Sequence, residues 1–248
     1  MNVFANVDAE QYDSARPFFH PYVYERLANL WDGHVNRCLD VACGTGHSAI
    51  ALLPLAREVV AMDPSAAMLN HARSRSTIRY VRGIAERLPF VDKSFDLLSV
   101  SLGIHWFDQP TFLGEAHRVL RSAGWLVVYD SGFPEIMKGN DGFAQWLNTY
   151  RNRFPAPSRA DFRLQDGLVA RRGFETVRAE SFTLTRDYDF DSFAAYVATQ
   201  SRIVRTLSSG LETADSIRDW FEATLRPQFR TRIETLRYDV WLAAYRAA

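Results

Sequence analysis

Lysine is nearly absent from the chain. It occurs only at positions 93 and 138, so arginine carries almost all of the positive charge. Lys plus Arg and Asp plus Glu balance at 29 each, for a formal net charge of +0 at pH 7. That balance removes the basic footprint expected of a DNA- or RNA-binding protein. Cysteine is also scarce, with only Cys38 and Cys43. They lie in one short extended stretch and its turn, too close to pair. Two buried reduced thiols are therefore expected, which suits a cytoplasmic setting. No apolar run is long enough to span a membrane. The start, Met1 to Asp8, has neither the basic nor the apolar region of a signal peptide, and none is expected. The sequence shows no internal repeat, no low-complexity segment, no catalytic triad and no metal-ligand cluster.

What is present is apolar material, 47% of 248 residues, enough for one large α/β domain over 1–248 with a sizeable core. Its organising stretch is Cys38-Leu39-Asp40-Val41-Ala42-Cys43-Gly44-Thr45-Gly46-His47-Ser48-Ala49. A short apolar strand carries an acid, a glycine-rich turn follows, and a helix of small residues begins. This is the strand–turn–helix that opens a nucleotide-binding βαβ unit. Its glycines let backbone amides approach a ligand, and the helix N-terminus faces it. The spacing also fits the G-x-G-x-x-A dinucleotide fingerprint. Asp40 points elsewhere, because a carboxylate there would repel a pyrophosphate and attract an ammonium or sulfonium.

Further strands are expected at Glu58–Asp63, Ile78–Arg82, Phe95–Ser101 and Trp125–Asp130, alternating with helices at Gly46–Leu53, Ser65–Arg73 and Thr111–Leu120. Pro21–Trp31 reads as a helix before the first strand, closed by Asp32-Gly33-His34-Val35-Asn36. Asp63 ends the second strand. There it either accepts hydrogen bonds from a ribose or caps the next helix, and Ser65 can cap that helix itself. Phe95 to Ser101 is an apolar run suited to a central parallel strand. His105 follows it, with three open roles: general base, hydrogen-bond donor to a substrate, or structural histidine. His117 reads as a helix-packing residue. Beyond Asp130, a loop at Ser131–Asn140, a helix at 141–153, a strand at 175–185, helices at 191–207 and 213–233 and a last strand at 237–245 are expected. Seven arginines against three acids within 151–178 read first as a solvated face, and second as a site for an acidic substrate.

The Asp40–Gly46 turn resembles the first motif of the class I S-adenosylmethionine (SAM) methyltransferases. Gly83-Ile84-Ala85-Glu86-Arg87-Leu88-Pro89-Phe90-Val91-Asp92-Lys93-Ser94-Phe95-Asp96 resembles the G-D-A-E-x-L-P-F-x-D-x-S-F-D pattern of the same family, with Ile84 in place of its acid. His105-Trp106-Phe107-Asp108 is similar to the family's H-W-F-D variant, and Tyr12 to Pro17 to the Tyr…Arg-Pro segment of its trans-aconitate-methyltransferase-like members. The turn at Ser122-Ala123-Gly124 departs from the usual Pro-Gly-Gly.

The resemblance implies a Rossmann-like, doubly wound α/β sheet of mostly parallel strands with an antiparallel last strand. Residues 36–130 would form the SAM-binding half, and 187–234 a helical cap insertion. It implies SAM as cofactor, held by Arg16, Asp40, Ala42, Gly44, Gly46, Asp63, Met68, Ile84, Ala85, Glu86 and Ser101. His105 would be the catalytic candidate, and Trp106, Phe107 and Phe133 would line the acceptor side, enclosed with the cap and the 103–108 and 131–140 loops. The expected partner is a small organic metabolite methylated on an oxygen, nitrogen or carbon, with no nucleic acid or membrane, for a monomer or homodimer. A nucleic-acid methyltransferase would carry an N/D-P-P-Y/F motif, which the sequence lacks. A protein methyltransferase, a dehydrogenase and a catalytically silent SAM-binding protein are the other rivals.

Overall fold

The structure is a computed structural model. It describes residues 8–31, 35–74 and 78–248. The N-terminal residues 1–7 and most of the turn expected at 32–36 lie outside the described residues. In chain order the elements are α1 (Ala9–Ala15), α2 (His20–Leu27), β1 (Val35–Val41), α3 (His47–Leu52), β2 (Ala56–Asp63), α4 (Ala66–Arg73), β3 (Arg79–Arg82), β4 (Phe95–Ser101), α5 (Gln109–Val119), β5 (Leu120–Ser131), β6 (Ile136–Met137), α6 (Gly142–Arg153), α7 (Asp166–Arg171), β7 (Phe174–Tyr188), α8 (Phe190–Ala198), α9 (Ser201–Ser208), α10 (Ala214–Thr224) and β8 (Glu234–Ala247).

The strands form one mixed sheet in the order β3-β2-β1-β4-β5-β8-β6, with β7 paired to β8. β1/β2, β1/β4, β2/β3 and β4/β5 are parallel, and β6/β8 is antiparallel. The expected Rossmann-like α/β class is therefore observed. The strand order reverses between β1 and β4, the point where such sheets take their ligands at the carboxyl ends.

Contacts divide the chain into two compact units, one holding the described residues up to Pro17, Ser131–Ser158 and Phe182–Val240, the other Phe18–Asp130, Arg159–Ser181 and Trp241–Ala248. The second unit is built on β1 to β5. Leu39, Val60, Leu98, Val100, Leu126 and Val128 are fully buried there or nearly so, against Phe112, Leu113 and Ala116 of α5. Fully burying each such side chain contributes about 1.5–3 kcal/mol. The first unit has an aromatic core: Phe143, Trp146 and Tyr150 of α6 pack with Phe193 and Tyr196 of α8, and with Tyr188 and Tyr238.

Several boundaries depart from the sequence-based expectation. α2 begins at His20 and gives way after Leu27 to a 3-10 turn at Ala28–Leu30. The single helix expected at 191–207 breaks at Thr199 and Gln200, where the Thr199 hydroxyl donates to the Tyr196 carbonyl at 2.7 Å and Gln200 turns extended. α10 stops at Thr224 rather than near 233, because Pro227 lies in the 3-10 turn that follows and has no N–H to continue a helix. β8 accordingly starts three residues early, at Glu234. β6 and α7 were not expected at all.

β5 starts at Leu120, directly after α5. Phe95 pairs with Leu120 and Leu97 with Trp125, so residues 121–124 bulge out of register. Exposed Ala123 sits at the crest with φ +57°, a left-handed conformation that its Cβ disfavours. Ala123→Gly should stabilise the fold by about 0.5–1 kcal/mol. The check is a urea transition whose midpoint rises at constant slope. An unchanged or lower midpoint would mean the bulge carries no strain.

Candidate active site

The first cluster of site residues surrounds the turn after β1. Asp40 is fully buried. Its Oδ2 accepts from the Ser48 hydroxyl at 2.5 Å, and its Oδ1 is buried with no hydrogen-bond partner. Burial pushes the Asp40 carboxyl up to about 7. The Ser48 bond opposes that rise, and the charge of Asp63 adds to it. A buried carboxylate oxygen without a donor is costly, and a cation would relieve it.

Ala42, Gly44 and Gly46 are left-handed, at φ +60°, +53° and +92°. Gly46 has two reasons to be glycine: its φ, and the Tyr80 hydroxyl that would lie 2.5 Å from an added Cβ. An added Cβ at Gly44 would meet nothing within 4 Å, so the backbone there borders open space. The Gly44 N–H donates to Asp63 Oδ2 at 2.9 Å, and the Ser65 N–H to Asp63 Oδ1 at 2.8 Å. One carboxylate thus ties the turn after β1 to the start of α4. Burial raises its pKa, against those two amides. Ser65 is the N-cap of α4, its hydroxyl accepting from the N–H of buried Met68 at 3.4 Å. Asp63 is therefore not needed as the helix cap.

The Gly83–Asp96 stretch runs beside this cluster. Ile84 is half exposed and Ala85 is buried. Glu86 Oε1 accepts from the Asp108 N–H at 3.0 Å. Arg118 clamps the stretch: it donates to the Leu88 and Phe90 carbonyls at 2.9 and 2.7 Å and pairs with Glu115 and Asp92.

The second cluster lies past β4. Leu102 is left-handed at φ +55° and donates its N–H to the Tyr129 carbonyl at 3.0 Å. A Cβ added at Gly103 would stand 2.8 Å from the Ala42 Cβ, so the turns after β1 and β4 touch. The 3-10 turn Ile104–Trp106 then presents His105, whose Nδ1 lies 3.1 Å from Asp130 Oδ2 at the end of β5. The Trp106 ring is 4.8 Å from the imidazole, and Phe107 packs on Phe112 at 4.9 Å. Ser101 shares its hydroxyl with His20 Nδ1 at 3.3 Å.

Sequence reasoning missed Asp130, and also the buried polar chain behind the site. His20 Nδ1 meets the Tyr129 hydroxyl at 2.9 Å, Tyr129 meets Tyr24 at 3.1 Å, and Tyr24 meets the Ser99 hydroxyl at 2.9 Å. Burial, with the neighbouring His47, drives the His20 pKa down to about 3, so this imidazole is neutral.

Arg16 and Phe133 belong to the other unit. Arg16 donates to the Thr199 carbonyl at 2.8 Å and lies 4.5 Å from the Tyr12 ring, while its Nε is buried without a partner. Phe133 is stacked on both Tyr150 and Tyr196, at 5.5 and 5.8 Å. Of the arginine-rich segment, Arg151 pairs with Glu135, Arg153 with Glu212 and Arg178 with Glu180. His117 packs edge-on against Phe174 at 5.6 Å. Both cysteines are buried and free.

A family model described as a methyltransferase domain matches residues 39–128, from β1 through β5. Over this stretch the chain is similar to the class I SAM-dependent methyltransferases. The match spans the first cluster and His105 and stops two residues short of Asp130. A candidate methyltransferase of Dictyostelium discoideum is 23% identical over 207 residues, covering 82% of this chain and 78% of that protein. The demethylmenaquinone methyltransferase of Mycobacterium sp. strain KMS is 40% identical over 127 residues, covering 51% of this chain; the match spans 53% of that enzyme's own length. A solved structure from Anaeromyxobacter dehalogenans, described as a candidate type II methyltransferase, superposes with a TM-score of 0.68 at 21% identity, covering 94% of this chain and 97% of that one. At that identity the likeness speaks for the methyltransferase fold alone. That similarity implies SAM as the methyl donor, and the orphaned Asp40 Oδ1 and the open space at Gly44 fit a cationic cofactor.

Proposed function

We propose that the chain transfers a methyl group from SAM to a small organic acceptor, with the cofactor held by the Asp40–Gly46 turn and Asp63. The observation that carries this reading is the pair of buried acids around one glycine turn. Asp40 offers an unpartnered oxygen to positive charge, which favours a sulfonium or ammonium over a pyrophosphate. Asp63 closes the turn through two amides, yet a carboxylate has about four acceptor sites, so it retains capacity for ribose hydroxyls. Ala42, Gly44 and Gly46 bring backbone close to the ligand. Met68, Ile84, Ala85 and Glu86 would hold the adenine, with exposed Ile84 standing where the family pattern has an acid. Ser101, in the same unit, completes the cofactor set.

SAM, when bound, supplies a methyl group already activated by the sulfonium charge. The protein's task is then orientation and exclusion of water, worth on the order of 7–11 kcal/mol in well-aligned reactions. Trp106 and Phe107 would wall the acceptor beside His105. The relative that acts on demethylmenaquinone, as its name states, supports a small-molecule acceptor. The zero net charge argues against nucleic acid. Among the described residues no helix is long and apolar enough to cross a membrane.

Calorimetry should show micromolar binding of SAM and of its demethylated product, and none of NADH. Asp40 adds a pH signature. Its carboxyl stands near 7 in the ligand-free protein, against an ordinary 3.8. A raised carboxyl pKa stabilises the empty fold at low pH, and that contribution is lost as pH rises from about 4 through about 7. The cation needs the ionised form, so SAM affinity should rise on the order of eightfold between about pH 6 and about pH 7.5. Asp40→Asn should flatten that rise. No heat with SAM on folded protein, or heat with NADH, would end the reading.

A further inference from the structure

His105 and Asp130 form a pair that the cofactor site does not use. The imidazole follows β4 and the carboxylate ends β5, the neighbouring parallel strand. Nδ1 and Oδ2 are 3.1 Å apart, and the two side chains are only 10% and 13% exposed. A carboxylate only accepts, so the hydrogen in this bond sits on Nδ1. The neutral imidazole then carries its lone pair on Nε2, for which the described residues provide no hydrogen-bond partner. The backbone fixes the ring's place. The His105 carbonyl accepts from the Ala160 N–H at 2.9 Å, and the Trp106 N–H donates to the Gly103 carbonyl at 3.0 Å.

His20 makes the contrast plain. Its Nδ1 is committed to the Tyr129 hydroxyl in a fully buried chain, and no carboxylate backs it. A neutral imidazole backed by a carboxylate is how a general base is built, because the carboxylate fixes the tautomer and stabilises the imidazolium that forms.

We propose that Asp130 is the positioning residue that makes His105 the general base, and that the acceptor is accordingly a hydroxyl compound whose proton must leave. This rests on the methyltransferase reading above. In the balanced step, the acceptor oxygen forms a bond to the methyl carbon and its proton passes to Nε2. The bond from that carbon to the donor sulfur breaks, and its electron pair stays on sulfur as a neutral thioether. Asp130 holds the imidazolium until it releases the proton to water. A carboxylate acceptor has no proton to lose, and the anionic Asp130 beside the imidazole would repel it. A neutral hydroxyl meets no such repulsion.

The test is a series of phenols of increasing acidity, with the matching benzoates, and tritium-labelled SAM. Wild type, Asp130→Asn and Asp130→Glu are compared. Asp130→Asn should lower turnover of the least acidic phenol about 10²–10⁴-fold. The loss should shrink along the series, because acidic phenols arrive already ionised and need no base. Asp130→Glu should recover part of the rate, and calorimetry should find SAM affinity unchanged in both variants. A merely structural pair would give an equal loss at every phenol, and that result overturns the proposal. Transfer to benzoates in preference to phenols, or to no phenol at all, overturns the acceptor class. Failure of the wild type to bind SAM would instead overturn the methyltransferase reading.

Discussion

Asp63→Ala should weaken SAM binding at least tenfold while the fold survives. Hydrogen bonds to a charged group contribute roughly 1.5–3 kcal/mol each, and one lost ribose bond of that size suffices for the effect. The substitution does more than remove ribose acceptors. It also frees the Gly44 and Ser65 amides, so the turn after β1 loses its anchor on α4. Stability should fall less than two lost bonds suggest, because burial already disfavours this carboxylate and its removal relieves that cost. Asp63→Asn keeps one acceptor oxygen and should fall between wild type and Ala. Calorimetry with SAM, alongside circular dichroism, reads the outcome. Unchanged affinity in a folded Asp63→Ala protein would reduce Asp63 to a loop fastener.

His105→Ala should lower turnover on a hydroxyl acceptor by about 10²–10⁴-fold with SAM affinity intact. The imidazole makes no hydrogen bond to the Asp40–Gly46 turn; its partner is Asp130, while the His105 backbone carbonyl accepts from the Ala160 N–H. The loss should therefore appear in kcat and not in cofactor binding. A thermal transition close to that of wild type would exclude collapse around the exposed end of Asp130. A loss of only a few-fold would return His105 to an orienting or packing role.

The fold was legible where one element settles its own fate. Phe95 to Ser101 is apolar because β4 is covered on both faces, and the run announces a central strand. The glycines and acids of β1 and β2 were legible because a tight turn and a buried carboxylate leave few alternatives in residue type. Elements that depend on distant partners were not. β6 is two residues long and exists only because Leu236 and Arg237 pair with it. The bulge that lets β5 begin at Leu120 depends on its register with β4. The buried chain joins His20 of α2 to Ser99 of β4 through two tyrosines, a constellation that no local spacing encodes. Asp130 did leave a signal: like Asp63, it is an acid at the carboxyl end of a parallel strand. What it holds became visible only once β5 lay beside β4.

The missing side chain at Gly103 constrains more than its own turn. Ala42 and position 103 compete for the volume of a single methyl group, with 2.8 Å between the Ala42 Cβ and the place a second Cβ would take. Substitution at these two positions is therefore conditional. A methyl at 103 is tolerable only in a chain that gives up the one at 42, where φ of +60° would itself favour glycine. Residues 61 apart in the chain thus form one compensating pair, and sequence drift at either is readable only with the other in view.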